Sequence, residues 1–234
     1  MRKVLRNIMA SKRAYSTLPF FRFLEDESVP ARRRLGFMPC MAPFIMDFGD
    51  LNKYVLRDES SDDPHQHLVN LHTYEDDHHW PWYLEDLDRL GYDTPQPPAE
   101  LLGSLYSDRH KVNRMLASRL AHLIFGATPV ERMVIIEAIE ETGNVLFERT
   151  AAIARQLERD EGIELRYLGD FHLALESGHA RDGDDHRTLA AIELRDDERL
   201  RCDWLNASVF ALFTDWVAEL HDYALTEAGT YASC

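Results

Sequence analysis

Cysteine is scarce in this chain: Cys40, Cys202 and Cys234 are its three residues of that kind, and they show no CxxC spacing. That excludes a disulfide framework and a zinc knuckle, and it points to reduced thiols in a cytoplasmic protein. Long apolar runs are missing too, so no membrane span is expected. Basic side chains are in deficit, with 26 Lys and Arg against 41 Asp and Glu and a formal net charge of −15. The imbalance is uneven. Residues 1–22 hold six basic side chains (Arg2, Lys3, Arg6, Lys12, Arg13, Arg22) and no acid, which leaves −21 on the remainder. So acidic a body repels phosphate backbones, and no nucleic-acid partner is expected. Residues 1–17 read as a basic helix or arm that docks on this acidic body (18–234), with an anionic surface as the alternative partner. The stretch "MRKVLRNIMASKRAYS" lacks the apolar run of a secretory signal. Its faint likeness to an Arg-rich transit peptide is discounted, because it leads straight into folded-looking sequence.

Strand-like alternation is nearly absent, and "GIELRYLG" at 162–169 is the one short candidate. Repeats and low-complexity tracts are lacking. What is present is helical periodicity in a chain of ordinary globular composition, 45% hydrophobic and 29% charged over 234 residues. These numbers suit a single all-α domain. Helices are predicted over about 2–13, 18–25, 30–57, 64–90 with a break at Pro81, 98–125, 129–159, 170–181, 185–197 and 201–228. Thr128-Pro129-Val130-Glu131 has the form of a capping box with proline at the first helical position. Pro30 and Pro64 each suit a helix start, and Asp170 suits an N-cap. The last helix, with Trp204, Val209, Phe210, Phe213, Trp216, Leu220 and Tyr223, reads as a core element.

The stretch "HTYEDDHHW" at 72–80 packs three histidines and three acids into nine residues. On a helical wheel with Leu68 at zero, His72 falls near 40°, Glu75 near 340° and His79 near 20°, at roughly 100° per residue. All three then share the face of Leu68 and Leu71. Asp76 lies at its margin, while Asn70, Thr73 and Asp77 point away and read as solvated. A second stripe occurs in "DFHLALESGHA", where His172, Glu176 and His179 follow i, i+4, i+7. Between the two stripes, Glu137, Glu141, Asn144 and Glu148 read as the wet side of the 129–159 helix. Glu140 falls instead on its apolar side with Ile136, Gly143 and Phe147.

A buried carboxylate must be paired, protonated or metal-bound. Imidazoles and carboxylates without cysteine favour iron or manganese over structural zinc, and inward side chains on facing helices build di-metal centres in bundles. The bland alternative is a set of hydrogen-bonded core histidines. His65, His67, His78, His110 and His186 read as surface residues, and His122, within "LAHLIF", as a core histidine.

The pattern His172-x3-Glu176-x2-His179 resembles the His-x3-Asp/Glu-x2-His signature of the haem-oxygenase-like di-metal oxidases. "LPFFRFLEDESVPARRRLGFMPCMAPFIMDFGD" is similar to the opening helices of haem-oxygenase-like proteins, and the spacing of Glu140 suits their middle-helix glutamate. In helix order the resemblance extends over roughly 18–225; its specific matches are these few positions. It implies a haem-oxygenase-like multi-helical bundle and a non-haem di-iron centre, with manganese as the substitute metal. It also implies O2-dependent oxidation of a small organic molecule; a homodimer is compatible with it. The implied ligands are His72, Glu75, His79, Glu140, His172, Glu176 and His179. Those oxidases carry Glu-x6-His on the first ligand helix, whereas here His72 stands at the Glu position, so Glu75 or Asp76 must supply the carboxylate. The alternative is a thiaminase-II-like or small-ligand-binding protein of the same fold without di-iron chemistry. Haem itself is disfavoured, because residues 1–60 contain no histidine.

Overall fold

The computed structural model describes residues 1–179 and 189–227, with side chains for all of these except 176–179 and 227. Two long helices organise it. One, α9 (Pro129–Glu161), starts at the capping box foreseen: Thr128 accepts the Glu131 N–H, and the Glu131 carboxylate accepts the Thr128 N–H. It stops at Gly162, whose φ of 71° is the left-handed conformation in which glycine carries no Cβ penalty. The other, α11 (Asp196–Glu227), packs along it. The remaining helices in chain order are α1 (Arg2–Tyr15), α2 (Pro19–Glu25), α3 (Ala31–Arg34), α4 (Met38–Leu51), α5 (Pro64–Asp76), α6 (Trp80–Arg89), α7 (Pro98–Leu105), α8 (Lys111–Ile124) and α10 (Asp170–His179). A π-helical turn, Asn52–Leu56, continues α4. The helices share one hydrophobic core, in which Phe20, Phe21, Phe37, Met41, Leu120 and Leu205 are buried. The result is a single all-α domain.

The basic N-terminal helix belongs to that core. In α1, Val4, Leu5, Ile8 and Tyr15 are buried against α9 and α11, and Lys12 meets Glu141 at 2.5 Å. Glu141 and Asn144, expected on the wet side of α9, are therefore buried under α1. On α11, Trp204 is half exposed and stacks under Arg201, whereas the other apolar residues foreseen there are buried.

Three predicted helices are interrupted, each for a local reason. In 30–57 the chain turns between α3 and α4 at Gly36, where a Cβ would meet the Arg33 carbonyl oxygen at 3.0 Å. Inside α4, Pro43 has no N–H to donate. Next to it, Asn113 of α8 accepts the Phe44 N–H at 3.1 Å and donates to the Cys40 carbonyl, tying α4 to α8 at this turn. Glu219 of α11 holds Asn113 there by capping α8, accepting the N–H groups of Val112 and Asn113 at 2.8 Å. The 98–125 helix is divided into α7 and α8 by a turn at 106–110. The 64–90 helix breaks at 77–79, upstream of Pro81, because proline is tolerated only in the first turn of the following helix. Segment 162–169 forms no strand. Of the 185–197 prediction, 185–188 lie outside the described residues; 189–191 are helical, 192–195 are not, and α11 begins at Asp196.

That 162–169 segment leads into α10, and Asp86 of α6 fixes it. Its fully buried carboxylate accepts the N–H of Arg166 at 2.6 Å and of Leu168 at 2.9 Å. Burial raises its pKa, and the backbone donors partly offset this. Removing the carboxylate strands two backbone donors, so Asp86→Ala is expected to lower the unfolding free energy by about 2–3 kcal/mol. Asp86→Asn, able to accept from one of them, should fall between. Denaturant midpoints check this; wild-type midpoints in both variants would show that other contacts hold the segment.

Candidate metal centre

Helix α5 presents a buried polar face. Asp63 caps its N-terminus, accepting from His65 and Gln66. Gln66, Val69, Asn70, Thr73 and Asp76 are buried, while Leu71 is 63% exposed. The wheel's apolar face, set by Leu68 and Leu71, is thus rotated from the true inner face, and Asn70 and Thr73 are inside instead of solvated. Hydrogen bonds explain how polar residues come to be buried here. Gln66 donates to the Leu56 carbonyl, Asn70 exchanges bonds with the backbone of Asp58, and Thr73 accepts from Arg57. Arg57 also donates to the Thr73 carbonyl at 2.9 Å and to Asp77 at 2.6 Å, placing positive charge at the helix C-terminus. Gly49 of α4 lies against the break just beyond, where a Cβ would come within 2.9 Å of the Asp77 carbonyl oxygen.

Those constraints fix Asp76 in the interior. His72 Nε2 lies 3.0 Å from Asp76 Oδ2 and 3.4 Å from Glu140 Oε1 of α9. One ligand atom from each of His72, Asp76 and Glu140 lies within 4.8 Å of the others. That spread closes around one divalent ion with small side-chain movements, given metal–ligand distances of about 2.0–2.2 Å. Asp76 is 2% exposed, and although His72 is close, neither of its oxygens has a donor in hydrogen-bond alignment. The His72 imidazole is its nearest charged partner, and a buried carboxylate must be paired, protonated or metal-bound. Glu75 is exposed on the outer side of α5, outside the cluster, so of the two carboxylates the sequence left open the structure brings Asp76 to His72.

His79 sits at the break as the residue preceding α6, so His72 and His79 are not on one continuous helix. Its ring stacks on Trp82 at 4.5 Å and meets His172 of α10. The Tyr167 carbonyl lies 2.9 Å from His172 Nδ1, and His172 Nε2 lies 3.1 Å from His79 Nδ1. A carbonyl only accepts, so in neutral rings His172 donates from Nδ1 and receives from His79 Nδ1, and the lone pair of His79 is on Nε2. His79 is thereby oriented as metal-ligating imidazoles are, through hydrogen bonding of its other nitrogen. The side chains of Glu176 and His179 lie outside the described residues; their backbone continues α10.

Asp76, His79, Glu140 and His172 line one cavity of about 60 Å³, whose wall is otherwise apolar and includes Phe44, Phe48, Leu146, Phe147, Phe213 and Trp216. Trp216, read as plain core in the sequence, is thus also a pocket residue, which no periodicity could distinguish. Of the other histidines, His110 is buried instead of at the surface, His122 is exposed instead of in the core, and His186 lies outside the described residues. The chain matches no protein-family model and no curated protein.

His72 balances opposing influences. Burial disfavours its imidazolium, but the Asp76 and Glu140 carboxylates beside it outweigh burial, and its pKa is raised well above the ordinary imidazole value. A group raised on folding stabilises fully below its unfolded pKa and loses that contribution as pH climbs through the folded value. Metal-free protein should therefore lose stability as pH rises above about 6.5, and His72→Gln should flatten that slope in thermal melts. Metal uptake displaces the same proton, so apparent affinity should rise with pH. An equal slope in His72→Gln would remove His72 as its source. In calorimetric titration with Mn(II), Asp76→Ala should lower affinity at least about tenfold, the scale of losing a ligand or its support, while Glu75→Ala binds as wild type. The reverse ranking would move the site to the outer face of α5.

Proposed function

We propose that this chain is a non-haem di-iron, O2-dependent oxidoreductase of the haem-oxygenase-like type, acting on a small organic molecule. One observation carries the reading: the His72–Asp76–Glu140 cluster, in which Asp76 is buried and the other two half-buried, reaches an apolar cavity through Asp76 and Glu140, beside His79 and His172. His72, Asp76 and Glu140 would hold one ion. His79 and His172, with Glu176 and His179 on the helix of His172, would hold the second. Iron bound there would supply one-electron chemistry with O2. The chain's own residues do the rest. Asp76 and Glu140 balance the positive charge of the centre, His72 gives up its proton on loading, and the aromatic wall excludes water from the reacting molecule.

A second reading, a small-ligand-binding protein of the same fold without metal, is favoured by the Tyr167–His172–His79 chain, which satisfies these rings internally. Its thiaminase-like form needs a reactive cysteine thiolate, and the described cysteines do not suit that role. Burial pushes the thiol of Cys40 up to about 12 and that of Cys202 to about 11.

Anaerobic Fe(II) loading followed by metal analysis separates the two. Up to two irons per chain are expected. Less than about 0.2 equivalents would sink the oxidase reading, since a preassembled ligand set should retain its ion. His172→Ala and His179→Ala should lose iron, whereas His78→Ala, at an exposed position, should not. Binding at 100-fold over Kd contributes about 2.7 kcal/mol, so a chelator should lower the Tm and Fe(II) or Mn(II) restore it. Loaded wild type should consume O2 at an electrode; iron retained in full with no O2 uptake would leave a metal protein without oxygen chemistry.

A further inference from the structure

Two glycines stand in the wall of the cavity, Gly49 of α4 and Gly143 of α9. Gly49 has a steric reason to be glycine, because a Cβ there would come within 2.9 Å of the Asp77 carbonyl oxygen. Gly143 has none. A Cβ at Gly143 would meet the Phe147 ring at 3.5 and 3.8 Å, which is ordinary van der Waals contact, and no other helix of the described residues comes within 4 Å. Its backbone does not require glycine either, since it has no positive φ and sits in the middle of a continuous helix. In a helix interior glycine is the least favourable residue after proline. An alanine would serve the fold better at this position, unless the empty space is itself used.

Helix geometry shows where that space lies. The neighbours of Gly143 on the surface of α9 are the residues three and four positions away, Ile139, Glu140, Leu146 and Phe147. All four line the same cavity. Gly143 is therefore at the centre of the patch that α9 turns towards the cavity, one turn after Glu140. It is half-buried, while Thr142 and Asn144 on either side of it are buried.

We propose that Gly143 is the specificity-determining residue of this pocket and that it selects by size. A compact apolar group of the bound molecule occupies the space that a side chain would fill, against the α9 backbone and beside Glu140. The proposal rests on the reading of the cavity as a substrate pocket, but not on the metal or on oxygen chemistry.

The test uses metal-free full-length protein, so that failure of iron loading and failure of this proposal remain distinguishable. The probe is xenon, which has no hydrogen-bonding groups and enters apolar cavities; its NMR chemical shift follows binding. Wild type should take it up saturably. Gly143→Ala should raise the Tm by about 2–4 °C, the effect of replacing an interior helix glycine in a domain of this size. The same variant should bind xenon at least about tenfold more weakly, the lower end of what one methylene is worth in an apolar pocket. Gly103→Ala is the control. It lies on α7, where a Cβ also meets nothing within 4 Å but the surroundings are exposed, so it should leave xenon binding as in wild type. A Gly143→Ala Tm at or below that of wild type, failure to fold included, overturns the proposal, because packing would then require the glycine. A stabilised Gly143→Ala that binds xenon as tightly as wild type also overturns it, since the added methyl would lie outside the cavity. So does a wild type that takes up no xenon.

Discussion

Among the described residues three acidic side chains, Asp76, Asp86 and Glu141, are buried in an apolar helical bundle. Each must find charge or donors, because an isolated carboxylate in low dielectric costs several kcal/mol. The three solutions differ. Asp86 is met by backbone N–H groups, which fixes the approach to α10. Glu141 is met by Lys12, which fastens the N-terminal helix to α9. Asp76 has an imidazole at 3.0 Å and no aligned donor on either oxygen. Where the first two are structural fasteners, the third is the buried carboxylate of the candidate centre, facing the His72 imidazole.

The supports of that site form two chains. One runs from Arg57 through Thr73 and Asp77 and fixes the end of α5, and with it the direction of Asp76. The other runs from Asp86 through the 166–168 backbone to the Tyr167 carbonyl, then to His172 and His79. The histidines are thus positioned by a carboxylate that contributes nothing to the cavity wall. Preorganisation of this kind lets ligands be held near their working geometry before an ion arrives.

Much of the helical plan was legible because caps are local. Thr128–Glu131 and Pro64 mark helix starts through chemistry contained in a few residues. The orientation of α5 was not legible. A wheel centred on Leu68 and Leu71 assumes that apolar side chains define the inner face, yet here Gln66, Asn70 and Thr73 are buried by partners on a distant loop. The same assumption put Asp76 at the margin and Glu75 inside. His72, His79, Glu140 and His172 were recognisable from sequence and do come together. The break between His72 and His79 was legible from Pro81, which is a local signal, whereas the close approach of Gly49 to it is tertiary. His110 and His122 were interchanged for a similar reason: hydrophobic neighbours in sequence do not show which side of a helix is covered.

The side-chain link between α4 and α8 bears on how the pocket depends on distant parts of the chain. Phe44 and Cys40 are bonded by Asn113, 69 residues after Phe44, and Asn113 is in turn oriented by Glu219 of the last long helix. An ordinary helix closes its hydrogen bonds from within and can form before its neighbours arrive. Here a turn of α4 is also bonded to α8, and the start of α8 is capped by α11, so three helices far apart in sequence are linked in series. The cavity wall that α4 supplies through Phe44 and Phe48 is thereby tied to the seating of the last long helix.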